Sequence, residues 1–137
     1  MVKASDVLGD NENFMNATNG TVARKGSIAA TLLNAAKYTD LMTHPHSADR
    51  SKEIEQIVAD VTELLPALEA VGLFRFFSLE EWLNGVHSNN EGRAFVAIVY
   101  LMNYPQHLNS TLRDQLSQHK NRVEPELRSL IELTLSR

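Results

Sequence analysis

The 137-residue sequence contains no cysteine. This absence excludes disulfide bonds, thiolate metal ligands, iron–sulfur clusters and cysteine nucleophiles together. Long apolar runs are also missing, because the longest, from Ala94 to Met102, is less than half of the roughly 20 residues that span a bilayer. The opening residues carry one lysine with no apolar stretch behind it, so no secretory signal is visible. We therefore expect a soluble, cytoplasmic protein that does not bind membranes.

A surplus of positive charge is missing as well. The chain has 13 basic and 17 acidic side chains, for a net charge of −4. The acidic excess is concentrated in residues 40–81, which hold nine acidic and three basic side chains. A surface of this sign repels a phosphate backbone. We therefore expect no nucleic-acid partner.

The motifs of several enzyme classes are absent too. The sequence has no Gly-x-Ser-x-Gly, no Gly-x-x-x-x-Gly-Lys and no Gly-x-Gly-x-x-Gly. The adjacent Glu80 and Glu81 point about 100° apart on a helix, so they do not share one site. His44 and His46 supply two imidazoles from one loop, whereas a structural zinc takes four ligands. We predict no catalytic residue, no metal site and no cofactor.

The residues that are present indicate a globular protein. Apolar residues make up 43% of the chain and charged residues 22%, close to the averages of folded domains. The length predicts one domain over residues 1–137, with a helical core over residues 26–137. Asn19-Gly20 favours a two-residue hairpin turn within residues 1–25. The Asn-rich run around it also allows an irregular arm.

Apolar spacing predicts two long helices in the first half of the core. The first is expected to be capped by Ser27 and to end near Met42, with an inward stripe of Ile28, Leu32, Ala35 and Thr39. The second starts near Ser47 or Ser51, and its stripe recurs at steps of three and four: Ile54, Ile57, Val61, Leu64, Leu68 and Val71. Pro66 predicts a kink or a break near residues 62–66. Gly72 is the expected C-cap.

The second half is predicted to contain one buried helix among shorter ones. Ser78 and Glu81 form a capping box, so a short helix is expected to begin at Leu79. Residues 91–103 are apolar nearly all round, which is typical of a central buried helix. Asn109 or Ser110 and then Pro125 are expected to open the last two helices. The predicted fold is mainly α, a compact bundle of about five to seven helices around residues 91–103.

An aromatic segment follows the second helix, and two interpretations of it stay open. It contains most of the phenylalanines and the only tryptophan, as Phe74, Phe76, Phe77 and Trp82, with Arg75 among them. These rings could anchor a loop in the core. They could instead form a contact surface, since aromatic residues and arginine dominate interface hot spots.

The sequence alone assigns no function, and two hypotheses from different classes remain. The leading one is a non-enzymatic protein–protein interaction or regulatory module that forms a homodimer, with Phe74, Arg75, Phe76, Phe77 and Trp82 as the partner-binding residues. The alternative is a small-molecule-binding protein or small enzyme with an apolar pocket inside the bundle. The polar groups of that pocket would include Tyr38, His87, Arg93 and Tyr100. A pocket lined by such groups would favour the alternative.

Overall fold

The computed structural model describes residues 14–16, 22–24, 26–44 and 48–137. Two short strands, β1 (Phe14–Asn16) and β2 (Val22–Arg24), pair in antiparallel fashion with Met15 opposite Ala23. The predicted turn at Asn19-Gly20 lies outside the described residues. Seven α-helices follow within the described part of the chain: α1 (Ser27–Thr43), α2 (Arg50–Val71), α3 (Leu73–Phe76), α4 (Leu79–Leu83), α5 (Glu91–Asn103), α6 (Ser110–His119) and α7 (Pro125–Leu135). The predicted mainly α bundle is confirmed.

Helix α5 is the centre of the bundle. All of its residues from Ala94 to Leu101 are buried, and α1, α2, α4 and α7 pack around it. Helix α1 comes so close that a Cβ atom on Gly92 would lie 1.7 Å from the carbonyl oxygen of Ala35. The Gly92 amide donates to Thr39 Oγ1 at 2.9 Å across the same contact. The prediction of a buried helix over residues 91–103 is therefore confirmed, and glycine is required where α1 crosses it.

Helix α2 is continuous through Pro66, so of the predicted kink or break, the break is wrong and the kink stays a prediction. Pro66 and Thr62 are both exposed, and the Thr62 carbonyl that loses its amide partner therefore lies on the side reached by water. Burial of Leu65 and Leu68 on the opposite side holds the helix together. The inward stripe also differs from the prediction at two positions, because Leu65 and Ala70 are buried whereas Leu64 and Val71 are only half-buried. Gly72 ends the helix with φ +71°, as predicted.

Helix α1 presents a different face from the one predicted. Its buried residues are Ser27, Thr31, Ala35, Tyr38 and Leu41. Leu32 is 49% exposed and Leu33 is 72% exposed. The Tyr38 ring stacks on Phe95 of α5 at 4.3 Å, and this contact sets the inward face. The residue before the helix is Gly26, so the prediction of a Ser27 cap is also wrong.

The short-range signals in the second half are confirmed. Ser78 Oγ accepts a hydrogen bond from the Glu81 amide at 3.2 Å, and α4 begins at Leu79. Asn109 Oδ1 accepts from the Leu112 amide at 2.8 Å at the start of α6. Pro125 is the first residue of α7. In the described part of the chain, no helix is long and apolar enough to span a membrane.

Candidate functional site

The structure divides the aromatic segment into an anchored part and an exposed part. Trp82 is buried, and half-buried Phe74 packs edge-on against it with ring centroids 5.1 Å apart. Phe74 also contacts Tyr100 of the central helix at 4.6 Å. Buried Leu73 secures the start of α3. The four-residue helix α3 is therefore fixed to the core on its inner side.

The outer side of this segment is exposed. Phe76 is 80% exposed and Phe77 is 50% exposed, and Arg75 beside them is exposed as well. Phe77 still lies 6.2 Å from the Trp82 ring, so its position is tied to the buried tryptophan. We refer to Arg75, Phe76 and Phe77 as the aromatic surface. The two interpretations of the segment thus apply to different residues of it.

A hydrogen-bonded cluster braces the core beneath the aromatic surface. The Tyr100 hydroxyl donates to Glu69 Oε2, and His107 Nε2 lies 3.1 Å from Glu69 Oε1. The rings of Tyr100 and His107 stack at 5.5 Å. Burial raises the pKa of Tyr100 above its ordinary value, and the hydrogen bond to Glu69 raises it further. Tyr100 is therefore a neutral donor held by the end of α2, and its ring is a fixed support for Phe74.

A small cavity lies beside the C-terminal part of α1. Its volume is about 130 Å³. Met42 and Leu127 contribute to its apolar lining, and the polar lining side chains are Tyr38, Glu91, Arg122 and Glu124. Tyr38 is fully buried, and its hydroxyl has no hydrogen-bond partner among the residues that the structure describes. Nearly all buried polar groups in folded proteins are paired, so this hydroxyl marks the cavity as a candidate binding site.

An ion cluster adjoins this cavity. Arg50, at the start of α2, lies 3.6 Å from Glu124 Oε2 and 3.3 Å from Glu126 Oε1, both near the start of α7. Burial raises the pKa of Tyr38 above its usual range, and Glu126 raises it further. Arg50 lowers the same pKa, whereas Glu124 and Glu91 raise it. The hydroxyl of Tyr38 therefore stays neutral and lies in a field dominated by carboxylates.

The four residues predicted to line one pocket are not brought together. Tyr38 lines the small cavity, and Tyr100 is bound to Glu69 some way along the bundle. His87 lies in a separate surface groove of about 380 Å³, where its ring is 4.8 Å from that of buried His119. Arg93 is half-buried on α5 and lines neither space. The cavity beside Tyr38 and the groove beside His119 therefore each contain only one of these four side chains.

The histidines of the loop after α1 contribute little to a site. His44 is exposed, and its Nδ1 lies 3.0 Å from the Thr43 hydroxyl and 4.0 Å from an Asp40 carboxylate oxygen. His46 lies outside the described residues. Across the described ranges, no group of three or more histidine, aspartate or glutamate side chains is arranged to hold a metal ion.

Sequence reasoning missed the ion cluster around Arg50. Arg50 and Glu126 are 76 positions apart, and neither stands in a motif. His119 was missed for the same reason, since an isolated histidine near a helix end carries no local signal of burial. Only the packing of the start of α7 beside the start of α2 brings Arg50, Glu124 and Glu126 together.

Comparison with known proteins adds one relationship. No curated protein and no solved structure matches the chain. A family model matches residues 3–104, which include the aromatic surface, Tyr38 and the whole of α5. The match ends before Arg122, Glu124 and Glu126. Since the matched range covers most of the sequence, the chain belongs to the family described as Domain of unknown function (DUF7709).

Proposed function

We propose that this chain is a non-enzymatic interaction module that binds a second copy of itself through the aromatic surface. The observation that carries the proposal is the 80% exposure of Phe76 in a segment whose other rings are anchored. Phe76 buries little of its ring in the monomer, so the ring contributes little to folding. Exposed apolar patches of this kind mark sites of protein association.

The anchoring of α3 supports a binding role. Phe74 and Trp82 hold the inner side of the segment, and the Tyr100–Glu69 hydrogen bond holds the ring on which Phe74 rests. Phe76 is therefore presented on a fixed support rather than on a loose loop. Preorganised contacts lose less conformational entropy on association, so more of their burial energy appears as affinity.

The charges that flank the phenylalanines favour a second copy as the partner. Arg75 precedes the two rings, and exposed Glu81 follows them on α4. A twofold axis brings the same surface of two subunits face to face in opposite directions. Arg75 would then lie beside Glu81 of the partner subunit, and the reverse pair would form on the other side. Phe76 and Phe77 would fill the centre, where hot-spot residues concentrate.

The expected effect of losing Phe76 is large. Truncation of a central aromatic hot spot costs about 2 kcal/mol or more. Both subunits lose the ring at once in a symmetric dimer, so the expected cost is about 4 kcal/mol, or roughly 1000-fold in Kd. Sedimentation velocity over a wide range of protein concentration measures the Kd of the dimer. Phe76→Ser should sediment as a monomer where the unmodified chain is dimeric.

A matched control distinguishes a specific contact from nonspecific hydrophobic association. Leu33 is 72% exposed on α1, so Leu33→Ser removes a similar apolar exposure from a different surface. This variant should dimerise as the unmodified chain does. A monomeric unmodified chain at every concentration would contradict the proposal, as would equal loss of the dimer in both variants.

A charge exchange tests the orientation of the dimer. Arg75→Glu should weaken the dimer, because it places a carboxylate beside Glu81 of the partner subunit. The double variant with Arg75→Glu and Glu81→Arg restores opposite charges and should recover most of the affinity. Failure of the double variant to recover while the Phe76 effect holds would rule out this pairing of charges.

A further inference from the structure

We infer that the cavity beside Tyr38 is a binding site for a compact organic cation, an ammonium or amidinium group on a short apolar body. This inference goes beyond the proposed dimer, because the cavity is formed by other residues. It is built from α1, the start of α5 and the segment that leads into α7. Substitutions in the cavity would leave the residues of the aromatic surface unchanged.

Missing hydrogen bonds are the first observation that points to a ligand. In the described residues, five buried side-chain atoms have no hydrogen-bond partner, and three of them are the Tyr38 hydroxyl and, in the adjoining ion cluster, Arg50 Nε and Glu126 Oε2. Leaving one such group unsatisfied is costly, and folded proteins pair nearly all of them. Tyr38 also lines the cavity itself. The Tyr38 hydroxyl can accept as well as donate a hydrogen bond, so a bound molecule with a donor group can be its partner.

The local charge selects a cation. The carboxylates of Glu91, Glu124 and Glu126 act on the Tyr38 hydroxyl, against one guanidinium, that of Arg50. Arg50 is shared between Glu124 and Glu126, and Glu91 forms no ion pair with any residue that the structure describes. Negative charge is therefore in excess.

Arg122 also lines the cavity, but it does not reverse this sign. Its side chain is exposed, as is that of Glu124, so solvent screens both of these charges. Arg122 is also absent from the charges that act on the Tyr38 hydroxyl. An anion attracted by Arg122 would therefore have to approach the carboxylates of Glu91 and Glu124.

The size and lining of the cavity limit the body of the ligand. A volume of about 130 Å³ is close to that of an apolar cavity of about 150 Å³ that accepts one benzene molecule. Met42, Val86 and Leu127 supply the smaller, apolar part of a lining that is mostly polar, so only a short apolar body is accommodated. A short alkyl chain or one small ring with a single cationic head group fits both the volume and the charge.

Three probes with one alkyl body and different head groups test the charge class. They are n-butylammonium, n-butanol and n-butyrate, each added to the full chain. Met42 lines the cavity, and the sequence has only four methionines, so methionine methyl NMR reports on the site directly. We expect n-butylammonium to shift the Met42 signal at the lowest concentration and n-butyrate to leave it unchanged. The Met102 signal is the internal control.

Two variants test the residues assigned to the site. Tyr38→Phe keeps the ring that stacks on Phe95 but removes the hydroxyl, and should weaken n-butylammonium binding about tenfold. Glu91→Gln keeps the shape of the side chain and should weaken it as well. Tyr104→Phe, at a half-buried tyrosine outside the cavity, should bind as the unmodified chain does.

Three results would overturn the inference. Absence of a Met42 shift with every probe would mean that the cavity holds only water. Tighter binding of n-butanol or n-butyrate than of n-butylammonium would refute the cationic class. Unchanged binding in both Tyr38→Phe and Glu91→Gln would place the probe elsewhere. The dimer tests are read by sedimentation and do not depend on these outcomes.

Discussion

His119 is a buried imidazole whose two ring nitrogens have no hydrogen-bond partner among the described residues. Its ring lies 4.8 Å from that of His87 at the edge of the surface groove. Burial lowers the pKa of His119, and the neighbouring charges of His87 and Arg122 lower it further. The fold therefore holds this imidazole in its neutral form.

This arrangement predicts a loss of stability in mild acid. An unfolded histidine titrates near pH 6.5, and His119 in the fold titrates below that value. As the pH falls from about 7 to about 5, the unfolded chain takes up a proton before the folded chain does. The free energy of unfolding should then fall by at most about 1.4 kcal/mol per pH unit from this residue. Urea unfolding at a series of pH values measures the slope.

Two variants assign the slope to His119. His119→Leu removes the titrating group and should flatten the dependence in this window. His44→Gln changes an exposed histidine at the end of α1 and should keep the slope of the unmodified chain. Glu80 and Asp114 line the groove as well, and both variants leave them in place. An undiminished slope in His119→Leu would show that another group is responsible.

At the scale of helices, the contact between α1 and α5 depends on one glycine. Gly92→Ala would place a methyl group 1.7 Å from the Ala35 carbonyl oxygen, which is backbone and cannot rotate away. Alanine has the better helix propensity by about 1 kcal/mol, but the overlap outweighs this gain. We expect the free energy of unfolding to fall by at least about 2 kcal/mol in urea titrations.

Gly26 provides the matched control for this substitution. A Cβ atom there meets no atom within 4 Å, and the residue has an ordinary helical φ of −79°. Gly26→Ala should change the free energy of unfolding by no more than about 0.5 kcal/mol, since a lost cap preference and a stiffer unfolded chain oppose each other. Similar losses in both variants would show that α1 adjusts its position easily.

Most helix ends could be predicted from the sequence, because their causes are local. The hydroxyl of Ser78 and the side chain of Asn109 each bond an amide three positions ahead, and Pro125 acts through its own ring. Pro66 shows the limit of such signals. Packing of the neighbouring leucines outweighs one lost hydrogen bond, and the helix continues through the proline.

The faces of the helices could be predicted less well. Helix α1 has leucines on one side, yet it buries Thr31 and Tyr38 and exposes Leu32 and Leu33. Two distant contacts decide this outcome, the stacking of Tyr38 on Phe95 and the crossing at Gly92. Hydrophobic periodicity within one helix contains neither contact. The candidate sites differ in the same way. The aromatic surface is contiguous in sequence and could be predicted, whereas the cavity beside Tyr38 is formed by residues distant in sequence and could not.

At the scale of the whole molecule, the core extends beyond the range that the family model matches. The match ends at residue 104, whereas the buried core continues in α6 and α7. Helix α7 packs on α5, and α6 packs on α4 and α7. The fully or nearly fully buried apolar side chains that these two helices add are Leu112, Leu116, Leu127 and Ile131. We therefore expect that the matched range does not fold independently.

A fragment of residues 1–104 should consequently fail to fold alone. Each of the four lost side chains contributes about 1.5–3 kcal/mol by burial, for roughly 6–12 kcal/mol together. That sum is comparable to the whole stability of a typical domain, about 5–15 kcal/mol. We expect the fragment to give a narrow amide NMR spectrum and no cooperative urea transition.

Adding the missing piece distinguishes lost packing from damage to the fragment. Residues 105–137, supplied as a separate peptide, should restore spectral dispersion and cooperative unfolding, because α7 can then cover α5 again. A peptide with Ile131→Asp should not, since it would bury a carboxylate against the central helix. A fragment that unfolds cooperatively without the peptide would show instead that α1, α2 and α4 suffice to cover α5. In that case α6 and α7 would be an addition to a domain that is already stable, and the Arg50 ion cluster would lie at the boundary between the two.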